Sequence, residues 1–227
     1  MKIIRKLREI ENLSRNTITA HLNIPKDALD KYENGKKNPY FPVILKIAKY
    51  FDVSVDFLIG SENVQSVKNI KLIKTAKLLD QMEIDINIGT ISNVIESLLP
   101  EDQMNDFKIH LDNFPEDLSD DFHINLKTIR NLKKLSQEQL GQPINISSKV
   151  IFHYENTQYP PAPKLKLLAE RLQLSAHCLC TGEKLYWTFN HNNFLDLILK
   201  ADQLCNLDEH RMLIHIMNKM LSKSANK

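Results

Sequence analysis

The sequence predicts an all-α protein built from two copies of a five-helix unit, each followed by a helical extension. Three observations favour this fold class. Only 5 of the 227 residues are glycine, which leaves little scope for tight hairpins. Apolar residues recur at the three- and four-residue spacing of helices along most of the chain. Residues 4–33 can be laid on residues 126–155 without a gap, at a constant offset of 122 positions.

The five helices of each copy follow from capping residues and apolar stripes. In the first copy, Ser14 is placed to cap a second helix, and Pro25 belongs to the turn after it. A third helix is predicted from about Lys26 to Asn34, with Gly35 in a left-handed conformation at its end. The fourth and fifth helices are predicted around 43–51 and 55–58. The predicted inward residues are Ile4, Leu7, Ile10, Ile18, Leu22, Leu29 and Tyr32, and in the second copy Phe122, Leu126, Ile129, Leu132, Leu140, Ile144, Ile151, Tyr154, Leu165, Leu168 and Leu172.

The segments after the two copies also show helical periodicity. Helices are predicted over 67–82 and 90–99, a third is predicted to begin at Pro100, and two more stripes cover 194–204 and 212–220. Residues 84–88 alternate between apolar and polar, which is compatible with a short strand. Lys74-Thr75-Ala76 and Lys200-Ala201 lie at similar places after their copies, so the extension is expected to belong to the duplicated unit.

Charge is distributed unevenly along the predicted domains. These domains are the first copy (1–62), an acidic helical spacer (63–118), the second copy (119–187) and a C-terminal helical extension (188–227). Residues 1–60 carry 11 basic against 7 acidic side chains and residues 123–187 carry 9 against 4, whereas residues 61–122 carry 5 against 13. Two basic blocks around an acidic one favour two polyanion-binding modules on a spacer, although ordinary solvated helices can show the same pattern.

Several classes of function are disfavoured. His177-Cys178-Leu179-Cys180 lacks a second pair of ligands, so the sequence predicts no metal site and reduced thiols. No phosphate loop or nucleophile motif is present, so neither an enzyme nor a cofactor is predicted. Apolar runs fall short of the roughly 20 residues that a membrane span needs, and the charged start is unlike a signal peptide, so a cytoplasmic protein without membrane partners is expected.

Two motifs carry a family resemblance. The first is the segment from Ser14 through Gly35, with Glu-Asn-Gly-Lys at 33–36 and Asn38-Pro39 after it. The second is Ser-Gln-Glu-Gln-Leu at 136–140 with Tyr-Glu-Asn at 154–156. Both resemble the Cro/lambda-434 repressor family, also called the XRE family, of bacterial and phage DNA-binding regulators. The resemblance implies two lambda-repressor-like helix-turn-helix domains, double-stranded DNA as partner, and a homodimer formed through the helical extensions.

The resemblance also implies which residues contact DNA. The third helix of each copy enters the major groove, and the second helix crosses the phosphate backbone. The implied contacts are Arg15, Asn16, Lys26, Asp27, Ala28, Lys31, Asn34, Lys36 and Lys37 in the first copy, and Gln137, Ser148, Lys149, Val150, His153, Asn156 and Gln158 in the second. The family pattern further implies partly buried ion pairs Arg8 with Glu33 and Arg130 with Glu155, both structural.

The second copy departs from the family pattern. Pro143 falls near the end of its second helix, Thr157 replaces the glycine, and residues 159–163 rebuild the following loop. This copy is therefore expected either to read DNA or to act as a scaffold or dimerisation module. For the whole chain, the sequence favours a repressor-like transcriptional regulator, whose two copies act as an intrachain pseudo-dimer if the chain is monomeric. The alternative is a protein-interaction adaptor, of antirepressor or antitoxin type, that uses these domains as packing surfaces. No small-molecule ligand is identified.

Overall fold

The computed structural model describes residues 1–61, 68–82, 85–99, 118–183 and 190–224. Over these residues the protein forms fourteen α-helices and no strand, which confirms the predicted fold class. The chain divides into two compact units. Unit 1 contains Met1–Ser66 and Asn113–Glu183, and unit 2 contains Val67–Asp112 and Lys184–Lys227. Within the described ranges, no helix combines the length and apolar character needed to cross a membrane.

Unit 1 holds both copies of the repeated unit. The helices of the first copy are α1 (Lys2–Ile10), α2 (Arg15–Leu22), α3 (Lys26–Glu33), α4 (Phe41–Phe51) and α5 (Val55–Ile59). Unit 2 begins in the chain with α6 (Ile70–Gln81) and α7 (Asp85–Leu98). The helices of the second copy are α8 (Phe122–Leu132), α9 (Gln137–Gly141), α10 (Ser148–Tyr154), α11 (Ala162–Leu172) and α12 (Ala176–Thr181), with a 3-10 turn at Gln142–Ile144. Unit 2 is completed by α13 (Asn192–Leu204) and α14 (Leu207–Ser224).

The backbone repeats as closely as the sequence does. Six residues other than glycine have a positive φ among the described residues, and they fall into three equivalent pairs: Asn12 and Lys134, Asn23 and Asn145, Asp52 and Gln173. Each residue ends a helix or lies just beyond its end, at the same point of its copy. Such conformations cost energy for most side chains, so three matched pairs indicate one backbone design used twice.

Some sequence expectations need correction. Leu132 was predicted to point inward, but its side chain is 59% exposed because it is the last residue of α8, where the chain begins to turn away from the core. The predicted strand at 84–88 is wrong over the described residues 85–88, which form the start of α7. Ile88 instead begins a helical stripe with Ile91 and Ile95 that is buried in unit 2. The helix predicted to begin at Pro100 lies outside the described residues.

The two copies in unit 1 pair through equivalent backbone atoms. The Phe41 N–H donates to the carbonyl of Pro160 at 3.3 Å, and the Ala162 N–H donates to the carbonyl of Pro39, also at 3.3 Å. Residues 39 and 160 are equivalent, as are 41 and 162, since one residue is deleted from the loop of the second copy. Each copy therefore donates one backbone hydrogen bond to the other and accepts the equivalent one from it. This reciprocity is the signature of an approximate two-fold axis between the copies, close to the bridge of Tyr40 and Pro161.

The same pairing buries a carboxylate. Asp56, on α5, is fully buried and accepts hydrogen bonds from the Ser175 hydroxyl at 2.7 Å and from the backbone N–H groups of Ala176 and His177 at 2.7 and 2.8 Å. These donors form the amino end of α12 in the other copy. A carboxylate is favourable at a helix amino end, so Asp56 joins the copies by capping a helix that is not its own.

Unit 2 contains two such caps, and they are reciprocal: each extension caps a helix of the other. Asp202 accepts hydrogen bonds from the backbone of Lys68 and Asn69 before α6, at 2.6 and 2.7 Å. Asp80, which lies 122 positions earlier in the chain, accepts from the backbone N–H groups of Asn190 and His191 before α13. The extensions are thus duplicated, as the sequence suggested, but with the offset of 122 and not with the register that matched Lys74 to Lys200.

The four helices described in unit 2 bury one apolar core. Equivalent positions of the two extensions meet there: Ile91 and Leu213 are both fully buried, as are Ile95 and Met217. Burial of such apolar area is the main stabilising contribution to a helical unit of this size. The two extensions therefore cover one another within a single chain.

Candidate nucleic-acid interface

In the first copy, α2 and α3 are joined by a short turn. The hydroxyl of Ser14 accepts from the Thr17 N–H at 3.1 Å and caps α2, as predicted. Asn23 ends α2 in a left-handed conformation, and Pro25 precedes the first residue of α3. Gly35 follows α3 with φ of 70°, which confirms the left-handed residue expected there. The resulting pair of helices is a helix-turn-helix.

The second copy forms the same motif by a different route. Ser136 and Gln139 make a reciprocal capping box at the start of α9. The α-helix then ends at Gly141 and tightens into the 3-10 turn that contains Pro143, since proline has no N–H to continue an α-helix. Ser147 caps α10. The departure at Pro143 therefore shortens the second helix, and the third helix still forms.

Gly141 is required by this tightened turn. Replacing it by alanine is expected to lower the free energy of unfolding of unit 1 by about 1–3 kcal/mol. The added Cβ would lie 2.1 Å from the carbonyl oxygen of Ile146, a backbone atom that can move only with the turn. The first copy has Thr19 at the equivalent position, where no 3-10 turn closes on it. Urea denaturation followed by far-ultraviolet circular dichroism measures the change.

Gly89 supplies the control for this substitution. It lies inside α7, and no neighbouring atom comes within 4 Å of the place that an added Cβ would occupy. Alanine there should be neutral or should stabilise by up to about 1 kcal/mol through its helix propensity. Equal effects of the two substitutions would contradict a steric role for Gly141.

The third helix of each copy, α3 or α10, is called the reading helix because the resemblance predicts that it contacts DNA bases. One buried glutamate joins each reading helix to the two helices before it. The Glu33 side chain is fully buried and accepts from Arg8 Nε at 2.6 Å, from Arg8 Nη2 at 3.1 Å and from Arg15 Nε at 2.8 Å. In the second copy, Glu155 accepts from Arg130 Nε at 2.5 Å and Nη2 at 3.2 Å. The predicted ion pairs are therefore present in both copies.

The residue at the start of the second helix joins this network. Arg15 in the first copy and Gln137 in the second both reach the second carboxylate oxygen of their glutamate, and both distances are 2.8 Å. The side chain of Arg15 remains 40% exposed. Each residue is thus held at the junction of the second and third helices with part of its surface open, while its contact with phosphate stays a prediction.

Acidic and basic side chains pair with one another on the exposed face of α3. Lys26 and Asp27 are exposed, and Lys31 donates a hydrogen bond to Asp27 one turn away. This hydrogen bond and the lysine charge hold the pKa of Asp27 below its usual value. The Asp30 carboxylate lies 3.7 Å from Arg15 Nη2 and therefore has a cationic partner.

Ala28 does not belong to this face. The sequence placed its methyl in the groove, but the residue is only 9% exposed. It shares a buried stripe with Leu29 and Tyr32, and its small side chain faces the protein because α3 packs against α2. The Ala28 methyl is therefore not placed to contact a base.

The exposed face of α10 has a different chemistry. Ser148 and Lys149 are exposed, and Val150 and His153 are half-buried. Phe152 is 51% exposed, and sequence reasoning missed it. Its position off the buried stripe of Ile151 and Tyr154 could have revealed it, since consecutive residues of a helix face different directions. An exposed aromatic ring on this face can contact an apolar group such as a thymine methyl.

The polar residues predicted to flank the reading helices are exposed, and their contact with DNA stays a prediction. Exposed residues of this set are Asn16, Asn34, Lys36, Lys37, Asn156 and Gln158. Two of them are held by the reading helix: the Asn34 amide donates to Asp30, and the Asn156 amide donates to the carbonyl of Phe152. The exposed members of the predicted set thus form one group in each copy.

Two paired helix-turn-helix units, each with an exposed third helix, are typical of a DNA-binding type of domain. A helix-turn-helix family model matches residues 4–58 and 126–177. The chain therefore contains two copies of an XRE-type helix-turn-helix domain, a domain type of DNA-binding regulators. No curated protein and no solved structure matches the chain significantly.

Proposed function

We propose that this protein is a sequence-specific, repressor-like transcriptional regulator that binds a two-half-site operator with the two helix-turn-helix copies of one chain. The observation that supports this most is the reciprocal pairing of the copies through Phe41 and Ala162. Regulators of this kind bind DNA as two-fold pairs of reading helices. Here the pair is already formed within one compact unit.

The extensions support the same assembly. Their apolar faces pack on one another inside unit 2, so one chain satisfies the contacts for which the sequence predicted a homodimer. A homodimer stays a prediction, and the molar mass in solution tests it. A mass of about one chain supports the intrachain pair, whereas a mass of two chains supports four reading helices in one assembly.

The proposal is tested by selection from random duplex DNA with the intact chain at stated salt. We expect an enriched sequence and a strong decrease in affinity with salt, because phosphate contacts release counterions. Alanine at Lys26 should relax the base preference, whereas alanine at both Lys36 and Lys37 should weaken binding to all sequences alike. No enriched sequence together with a shallow salt dependence would contradict the proposal.

The second candidate is a protein-interaction adaptor. Two observations favour it: the acids Asp27 and Asp30 lie on one reading helix, and the exposed ring of Phe152 lies on the other. Acids repel phosphate, and exposed rings are common at protein interfaces. A stable protein complex formed without measurable DNA affinity, and lost on Phe152→Ala, would favour the adaptor.

The Asp27 carboxylate limits the affinity of the first copy in our proposal. Asp27→Asn is expected to raise the affinity for non-specific DNA severalfold and to steepen the logarithmic salt dependence by about 1, because Lys31 becomes available to a phosphate. Fluorescence anisotropy at several salt concentrations measures both quantities. Asp196→Asn makes the same charge change at an exposed position of α13 in unit 2 and serves as the control. Equal gains from the two variants would indicate a net-charge effect only.

A further inference from the structure

We infer that one chain occupies one operator and that this operator is not palindromic, being built from two different half-sites in inverted orientation. The inference rests on the proposed function and deepens it by naming the class of DNA sequence that the protein reads. Three observations carry it: the two-fold pairing of the copies, the different chemistry of their reading faces, and an interface that suits unlike copies.

The pairing sets the orientation of the half-sites. The hydrogen bonds from Phe41 to Pro160 and from Ala162 to Pro39 join equivalent atoms in opposite directions, as a two-fold axis requires. Because each copy is a compact domain, an axis that relates these contacts also relates α3 to α10. Two-fold-related reading helices meet DNA whose half-sites are inverted relative to one another.

The reading faces differ in chemistry at equivalent positions. Lys26 is replaced by Ser148, Asp27 by Lys149, and Lys31 by His153 at the equivalent positions. Lysine donates to guanine, aspartate accepts from cytosine, and serine bonds to either kind of edge. Asp30 and Phe152 also correspond, which sets an acid against an apolar ring. Two faces so different cannot both match one half-site, so a perfect palindrome leaves one copy on the wrong bases.

The interface favours unlike copies. Asp56 and His177 occupy equivalent positions, two residues after the capping serines Ser54 and Ser175. Both side chains are buried, and Asp56 caps α12 of the other copy. A pair of two first copies would bring two buried Asp56 carboxyl groups to this place, where burial already raises the pKa of Asp56 and repulsion between the two groups would disfavour their charged forms further. Pairing of the first copy with the second avoids this repulsion and is the pairing that one chain provides.

The test is selection from random duplex DNA with the full chain, followed by native mass spectrometry of the complex. We expect a two-part site whose halves differ, with one chain on each duplex. Duplexes that repeat either half as a palindrome should bind at least about tenfold more weakly, since a mismatched base pair alone commonly has an effect of this size. Lys26→Ala should relax the preference in one half, and Lys149→Ala should relax it in the other; both residues are exposed, and circular dichroism verifies folding.

The outcomes separate this inference from the proposed function. A palindromic site, a site with only one specified half, or two chains on each duplex would overturn the inference and leave sequence-specific DNA binding intact. A relaxed preference in the same half from both variants would also overturn it. Absence of any enriched sequence would instead remove the proposed function on which it rests.

Discussion

Replacing Asp56 by alanine is expected to lower the free energy of unfolding of unit 1 by about 3–5 kcal/mol. The substitution removes the acceptor of three buried donors, the Ser175 hydroxyl and the N–H groups of Ala176 and His177. Each buried donor left without a partner costs about 1–3 kcal/mol. Because these donors belong to the other copy, the loss falls on the contact between the copies. Urea denaturation of the full chain measures it.

Two variants make the Asp56 result specific. Asp120→Ala removes an exposed carboxylate from the same unit and should change the stability by less than about 0.5 kcal/mol. Asp56→Asn keeps the shape and one acceptor oxygen, so its loss should lie between those of the other two. If Asp56→Ala were as mild as Asp120→Ala, the capping contact would not hold the copies together, and the intrachain pair would lose its main polar support.

The parts of the fold that sequence predicts well are those set by local chemistry. Ser14 caps a helix and Gly35 ends one because a hydroxyl acceptor and a residue without Cβ are needed at those points of any helix. Because the sequence unit is duplicated, each helix of the unit could be predicted twice, from two different sets of residues. The family resemblance then predicted which helices contact DNA, and the structure exposes one face of each of them.

The parts that sequence missed depend on which side of a helix is covered. The alternation at 84–88 is too short to separate a strand from a helix, and α7 forms because Ile88, Ile91 and Ile95 reach one core. Ala28 is small enough to lie at a helix contact or on a surface, and only the packing of α2 on α3 decides. The caps by Asp80 and Asp202 join residues more than 100 positions apart, so no local pattern indicates them.

Removal of the buried glutamate of either copy is the second large effect that we expect. Glu33→Ala should lower the free energy of unfolding by about 3–5 kcal/mol, because it removes the buried carboxylate that pairs with Arg8 and leaves that mostly buried cation only the carbonyl of Leu13 and the exposed Glu9 at 3.7 Å. The substitution should also weaken specific DNA binding, because Glu33 joins α3 to Arg15 on α2. Urea denaturation gives the first quantity, and anisotropy with the selected operator gives the second. Glu155→Ala should have a similar effect through Arg130.

The intact ion pair stabilises the protein by less than the loss caused by removing one partner, and a double substitution serves as the control. Charges that leave water lose solvation, so replacing both Arg8 and Glu33 by methionine should cost much less than Glu33→Ala alone. A double variant as unstable as Glu33→Ala would mean that shape, and not the loss of one charge of the pair, sets the cost.

Lowering the pH should destabilise the protein in the same direction as Glu33→Ala, because protonation removes the charge of Glu33. Burial acts to raise the pKa of Glu33, but the hydrogen bonds and charges of Arg8 and Arg15 outweigh it and hold the pKa below its usual value. The stability from this carboxylate is therefore present above the pKa of the unfolded chain and is lost as the pH falls through the pKa of the folded protein.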